Sequence, residues 1–83
     1  MSVVTVESLE AKLNSLVGTE FKYKNGHGWN EIYSSSTELE IEQKRGDGCS
    51  YALMLASNSK IVLSWRYTST RKECEKRNYV TGA

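Results

Sequence analysis

The chain has 83 residues, of which 39% are hydrophobic and 25% are charged, and its formal net charge is +1. This length allows one small core and excludes a second domain, because at this size only about 60% of the unfolded surface can be buried. The composition is that of an ordinary globular protein and excludes a fibrous or strongly disordered chain. We therefore expect a single domain spanning residues 1–83.

The charge is distributed unevenly along the chain. Residues 1–42 contain three lysines against seven glutamates, a balance of −4, whereas residues 60–83 contain six basic residues against two glutamates, a balance of +4. A nearly neutral total therefore conceals an acidic half and a basic half.

The cellular location follows from what the sequence lacks. MSVVTVESLE has no basic region followed by a long apolar run, and no later segment approaches the roughly 18 apolar residues of a membrane span. The chain contains two cysteines, Cys49 and Cys74, and no secretion signal accompanies them. We expect a cytoplasmic protein whose two thiols are reduced.

Helical periodicity marks the N-terminal region. Apolar residues recur at helical spacing and predict an amphipathic helix near residues 6–17, namely Val6, Leu9, Leu13, Leu16 and Val17. Thr5 is a suitable N-cap, and Gly18 is suitable as the residue that follows the helix. The preceding SVVTV could alternatively form a short edge strand.

Alternating patterns then predict two strands joined by a hairpin. Residues 20–24 alternate, with Phe21 and Tyr23 on one side. Residues 29–35 form the next strand, with Trp29 and Tyr33 on one face and Ile32 on the other. Asn25 and Gly26 between them favour a type I′ turn, which places His27 at an exposed tip.

Three further strands and a short helix complete the prediction. Residues 37–43 alternate, with three glutamates outward, and residues 49–57 are apolar on both faces, as in a central strand covered on both sides. Residues 60–67 alternate so that four residues share a face: Ile61, Leu63, Trp65 and Tyr67. Thr70 and Glu73 fit a capping box that begins a short helix near residues 71–77. The expected fold is α+β, with an N-terminal helix packed on an antiparallel meander of about five strands.

Few residues could carry catalysis. A metal site needs three or four converging ligands, and His27 and the two cysteines lack any paired metal-binding spacing, so we expect neither metal nor cofactor. A small ribonuclease is conceivable if His27, Glu31 and Arg66 meet on one sheet face. The chain otherwise shows no catalytic grouping, and we expect a protein that is not an enzyme.

Aromatic residues interleave with basic ones in FKYK (residues 21–24) and in WRY (residues 65–67), and a basic segment follows. Bases stack on aromatic rings while lysine and arginine neutralise phosphates, so this pattern suits RNA or single-stranded DNA. The same alternation is also typical of aromatic side chains that face a core.

Our first hypothesis is a small non-enzymatic regulatory or inhibitory protein, of the kind encoded by phages, plasmids and toxin–antitoxin loci. It would bind a macromolecular partner, foremost a protein, through the solvent face of the sheet and the basic C-terminal segment. The alternatives are a small RNA- or single-stranded-DNA-binding protein and a small ribonuclease, and a homodimer is compatible with all three. The residues predicted to bind are Lys22, Lys24, His27, Trp29, Arg66, Arg71, Lys72, Lys76 and Arg77.

Overall fold

The computed structural model describes residues 6–46 and 48–75. Six elements follow one another in these residues: α1 (Val6–Leu16), β1 (Asn30–Ser34), β2 (Glu38–Lys44), β3 (Ser50–Ala56), β4 (Val62–Tyr67) and α2 (Arg71–Glu75). The strands form one antiparallel meander in the order β1-β2-β3-β4. The α+β class is confirmed, and the described sheet has four strands rather than about five.

Both helices lie close to their predicted positions, and residues 76–77 of the predicted second helix lie outside the described residues. α1 buries Val6, Leu9 and Leu13, and the chain leaves it at Gly18, whose φ of +89° suits a residue without a side chain. The predicted N-cap, Thr5, and the SVVTV segment lie outside the described residues. At α2, the amide of Glu73 donates to the hydroxyl oxygen of Thr70 at 3.4 Å, so the Thr70 half of the predicted capping box is confirmed.

The predicted strand at residues 20–24 is wrong. This segment meets the sheet only at its beginning, where Glu20 bridges Ile61 and the amide of Phe21 donates to the carbonyl of Lys60 at 3.0 Å. Pairing stops there because Phe21 and Tyr23 turn onto the core, which takes their backbone away from the edge of β4. The chain therefore crosses the helix-covered side of the domain as an irregular segment.

The predicted type I′ turn at Asn25 and Gly26 is also wrong. Positive φ angles occur at Gly26 and Gly28, and not at Asn25. The amide of Gly26 donates to the carbonyl of Trp29 at 2.8 Å, and the Asn25 side-chain oxygen accepts from the amide of Glu31 at 3.0 Å. The glycines therefore do serve a tight bend, with His27 exposed at its tip as predicted.

The sheet has two unlike faces. The covered face carries Leu39, Ile41, Leu53 and Leu55, which join the core cluster with the leucines of α1. The opposite side, which we call the open face, carries the even-numbered residues of β2 and β3 together with Tyr33, Ser64 and Arg66. No member of the core cluster among the described residues lies on the open face. On this face of β3, Ala52 is fully buried and Met54 is half-buried, and cover of the central strand on both sides stays a prediction.

Two β-bulges reassign side chains that simple alternation placed wrongly. In β4 the register shifts so that Leu55 pairs with Val62, and Val62 enters the core whereas Leu63 is 45% exposed. In β1 a shift at Ile32 sends Tyr33 to the open face, away from Trp29. The extra residue in each bulge reverses the alternation that follows it.

Cys49 and Cys74 form a disulfide bond, so the expectation of two reduced thiols is wrong. Both sulfurs are buried, and the bond joins the β2–β3 loop to α2 across a sequence separation of 25 residues. The fold brings them together because the amide of Ser69 donates to the carbonyl of Ser50 at 3.3 Å. This contact places the start of α2 beside the loop that ends at Cys49.

Candidate functional site

Seven of the nine residues predicted to bind a partner lie in the described part of the chain, and these seven do not form one surface. They lie in three separate regions: Lys22, Lys24, His27 and Trp29 between α1 and β1, Arg66 on the open face, and Arg71 and Lys72 on α2. Lys76 and Arg77 lie outside the described residues. The fold therefore places the described members of the predicted binding set in different parts of the molecule.

Trp29 packs into the protein and does not offer an exposed contact. Its ring centroid lies 5.2 Å from that of Phe21 and 5.9 Å from that of Tyr51, both in edge-to-face geometry. The two lysines and the histidine of the same segment are exposed. Trp29 therefore anchors the segment, and its polar neighbours face solvent.

The aromatic residues of β4 are held on the covered face. Trp65 donates from its indole nitrogen to the side-chain oxygen of Asn14 at 2.7 Å, and Tyr67 donates from its hydroxyl to Glu10 at 2.6 Å. The two rings lie 5.1 Å apart and pack against the core cluster. In the described residues they tie β4 to α1 and do not form an exposed stacking platform.

The grouping proposed for ribonuclease chemistry is not formed. Glu31 lies on the covered face and accepts a hydrogen bond from the Tyr23 hydroxyl at 2.8 Å. Burial, together with this bond, raises the pKa of Tyr23 to about 12. Arg66 lies on the open face and His27 at the loop tip, so the three side chains point to different regions.

Arg71 lies at the centre of a cluster that joins the two helices. Its guanidinium contacts Glu10 at 2.8 Å, Glu7 at 3.5 Å and, within its own helix, Glu75. The hydrogen bonds from Arg71, and then from Tyr67, lower the pKa of the Glu10 carboxyl. Arg71 is thus engaged by carboxylates of its own chain and ties α2 to α1.

The open face has an ion pair at its centre. The Nε and Nη2 atoms of Arg66 donate to the two carboxylate oxygens of Glu40 at 2.8 and 3.0 Å. Arg66 is opposite Ala52, and Glu40 is opposite Met54, so the pair crosses the central strand where its side chain is smallest. The Glu40 side chain is 9% exposed and that of Arg66 is 59% exposed, so a buried carboxylate holds an accessible guanidinium. Tyr33, 51% exposed, lies on the same face.

A cleft of about 230 Å³ lies on the other side of the molecule, between α1, the segment around Trp29 and the adjoining ends of β2 and β3. Leucines and aromatic rings form much of its wall, and Lys12 and Arg45 add two positive charges. The sequence analysis predicted neither residue. Only the fold brings them together, because one belongs to α1 and the other follows β2.

Other features of the described residues limit the chemistry. They contain no group of three or more histidine, cysteine or acidic side chains that could hold a metal ion. Both cysteines are in the disulfide, so neither is available as a thiolate nucleophile while it is intact. Within the same part of the chain, no helix is long and apolar enough to cross a membrane.

Comparison with protein-family models, with curated protein sequences and with solved structures found no match to this chain.

Proposed function

We propose that the protein is a small non-enzymatic regulatory or inhibitory protein that binds a protein partner through the open face of its sheet. The observation that carries the proposal is the open face itself, which presents an exposed tyrosine and an accessible arginine that Glu40 holds in place. Antiparallel sheets commonly leave one face solvated, and in the described residues this face carries no member of the core cluster, so its side chains are available to a partner.

The shape and composition of the open face favour a protein partner. Ala52 is fully buried where the Arg66–Glu40 pair crosses the central strand, so the pair itself forms the surface there, and half-buried Met54 adds an adaptable apolar contact. Tyr33 stands at the rim with half of its surface exposed. Tyrosine and arginine are enriched among the residues that contribute most to protein interfaces.

Arg66 is the residue of the predicted set that best fits this role. Two of its five N–H donors bind Glu40, and three remain for acceptors on a partner. Because Glu40 already fixes the guanidinium, binding costs little side-chain entropy. Glu38 and Glu42 flank the pair on β2, so the complementary surface would offer oxygen acceptors opposite Arg66 and positive charge along β2.

The test compares one open-face variant with one matched control. The partner is captured from the native source on wild-type protein and identified, and its affinity is then measured for Tyr33→Ala and Val17→Ala. Both remove an exposed apolar side chain, but Val17 follows α1, which packs on the covered face. Tyr33→Ala should weaken binding about tenfold or more, and Val17→Ala less than about twofold. Equal effects, or an unchanged affinity of Tyr33→Ala, would contradict the proposal.

Binding to RNA or single-stranded DNA is the alternative function. Lys22, Lys24 and Lys72 are exposed, and none of them forms an ion pair within the described residues, so these lysines would carry it. Titration of a labelled single strand at two salt concentrations measures it directly. Binding that weakens steeply with salt and is lost in Lys22→Gln plus Lys24→Gln would favour nucleic acid. RNA cleavage abolished by His27→Ala would instead favour a ribonuclease.

The disulfide bears on where the protein works. We expected a cytoplasmic location, yet stable disulfides are characteristic of oxidising compartments. Because Cys49 and Cys74 are both fully buried, this bond has the placement of a structural cross-link. It favours an oxidising compartment, and labelling of free thiols in protein isolated from its native source would decide between the two.

A further inference from the structure

We infer that the cleft between α1 and the segment around Trp29 is a binding site for a small organic carboxylate, with a single ring or a short acyl chain. This site is on the opposite side of the sheet from the open face. The inference therefore stands independently of the proposed protein partner.

The size of the cleft limits its occupant. Its volume is about 230 Å³, which exceeds the roughly 150 Å³ of an apolar cavity that holds benzene. It falls below the range of about 300–1,000 Å³ that is usual for drug-sized ligands and cofactors. A single-ring compound or a short acyl chain therefore fits, and a dinucleotide does not.

The walls combine apolar side chains with a few polar ones. The apolar part consists of the Leu9, Leu13 and Leu16 side chains of α1 and the edge-to-face pair of Phe21 and Trp29. These surfaces would contact the ring or chain of a ligand. The polar groups come from α1 and from the adjoining ends of β2 and β3.

Arg45 is held in the cleft by Tyr51 and, among the described residues, by no carboxylate. Its Nε and Nη2 atoms donate to the Tyr51 hydroxyl at 3.3 and 3.1 Å, and that hydroxyl in turn donates to the side-chain oxygen of Gln43. The guanidinium carbon lies 5.7 Å from the centre of the Tyr51 ring. A tyrosine thus orients the guanidinium, and within residues 6–46 and 48–75 no carboxylate neutralises its charge and three of its N–H donors have no side-chain partner.

Lys12 brings a second positive charge to the same cleft. Within the described residues its ammonium group forms no ion pair, and no acidic side chain lines the cleft. Two unneutralised cations beside apolar and aromatic walls complement an anion with an apolar body. Arginine binds a carboxylate with two parallel hydrogen bonds, so the carboxylate of a small organic acid suits this geometry.

The experiment uses three ligands of nearly equal shape: benzoate, neutral benzamide and cationic benzamidine. Each is titrated into the intact, oxidised protein by calorimetry, and two-dimensional NMR follows the indole N–H of Trp29. Benzoate should bind with a Kd of about 0.1–1 mM, as expected for so small a ligand, and should shift the Trp29 signal. Benzamide should bind at least about tenfold more weakly, and benzamidine should not bind.

Variants then test which positively charged side chains bind the carboxylate. Arg45→Gln should weaken benzoate binding about tenfold and Lys12→Gln about threefold, whereas Lys22→Gln, an exposed lysine that does not line the cleft, should leave it unchanged. Lys12→Gln is the variant expected to fold normally, since Lys12 is exposed on α1, so its effect on benzoate binding is not explained by misfolding. The inference is overturned if benzoate, at a concentration about ten times the expected Kd, leaves the Trp29 signal unmoved. It is also overturned if benzamide binds as tightly as benzoate, or if Lys12→Gln and Lys22→Gln have the same affinity for benzoate.

Discussion

Removal of the Cys49–Cys74 bond should cost this protein a large part of its stability. The bond closes a loop with a sequence separation of 25 residues, and release of a loop of that length adds about 3.5 kcal/mol of entropy to the unfolded chain. A domain of 83 residues has a total free energy of unfolding of about 4–12 kcal/mol. The reduced protein should therefore lose between a third and nearly all of its stability, and its Tm should fall by about 15–25 °C.

The assay compares oxidised and reduced protein in urea, with unfolding followed by far-UV circular dichroism. A double variant, Cys49→Ala plus Cys74→Ala, serves as the control, because its unfolding midpoint should not respond to reductant. The midpoint of reduced wild-type protein should fall toward that of the double variant.

Two results would refute this reasoning. Alkylation of both cysteines in denaturant without reductant would show that the purified protein contains no disulfide. Equal unfolding midpoints of the oxidised and reduced forms would show that the bond does not constrain the unfolded chain as its loop length requires.

Three further predictions follow from particular contacts. Val62→Ala should lower the free energy of unfolding by about 2 kcal/mol and Leu63→Ala by less than about 1 kcal/mol in urea titrations, because the bulge buries only the first. Lys60→Gly should raise it by about 0.5 kcal/mol, since about 1–2 kcal/mol of left-handed strain at φ +62° exceeds the entropy gained by the unfolded chain. The lowered pKa of Glu10 gives stability that is fully present above the ordinary value of 4.5 and is lost as the pH falls through the folded-state pKa. Tm measured against pH should therefore decline less steeply in acid for Arg71→Gln than for wild type.

Local sequence patterns were sufficient to predict the elements that depend on one period. The apolar spacing of Val6, Leu9 and Leu13 predicted α1 because a helix needs only one buried stripe. The alternation around Leu39 and Ile41 likewise predicted β2, which runs without a bulge opposite β3. In both segments the residues that the local pattern places on one face are the residues that the tertiary structure buries.

The errors arose where one residue changed the register or where distant parts of the chain met. A bulge adds a residue without a distinctive sequence, so alternation assigned Leu63 to the core in place of Val62. The disulfide partners are 25 residues apart and carry no local signal. The cleft needs Lys12 and Arg45 from two elements, and no single segment reveals it.

Ion pairs within the fold join the acidic half of the sequence to the basic half. Arg66 pairs with Glu40, and Arg71 pairs with Glu10 and Glu7, so in each case an arginine of the basic half meets carboxylates of the acidic half. These arginines had been assigned to an external partner because charge along a sequence does not show which charges are neutralised within the fold. Arg71 contacts three carboxylates of its own chain, whereas Arg66 pairs with one and keeps three donors free on the open face. An electrostatic interaction with nucleic acid would therefore depend, in the described residues, on a few scattered lysines, whereas a protein partner can use the fixed guanidinium of Arg66 directly.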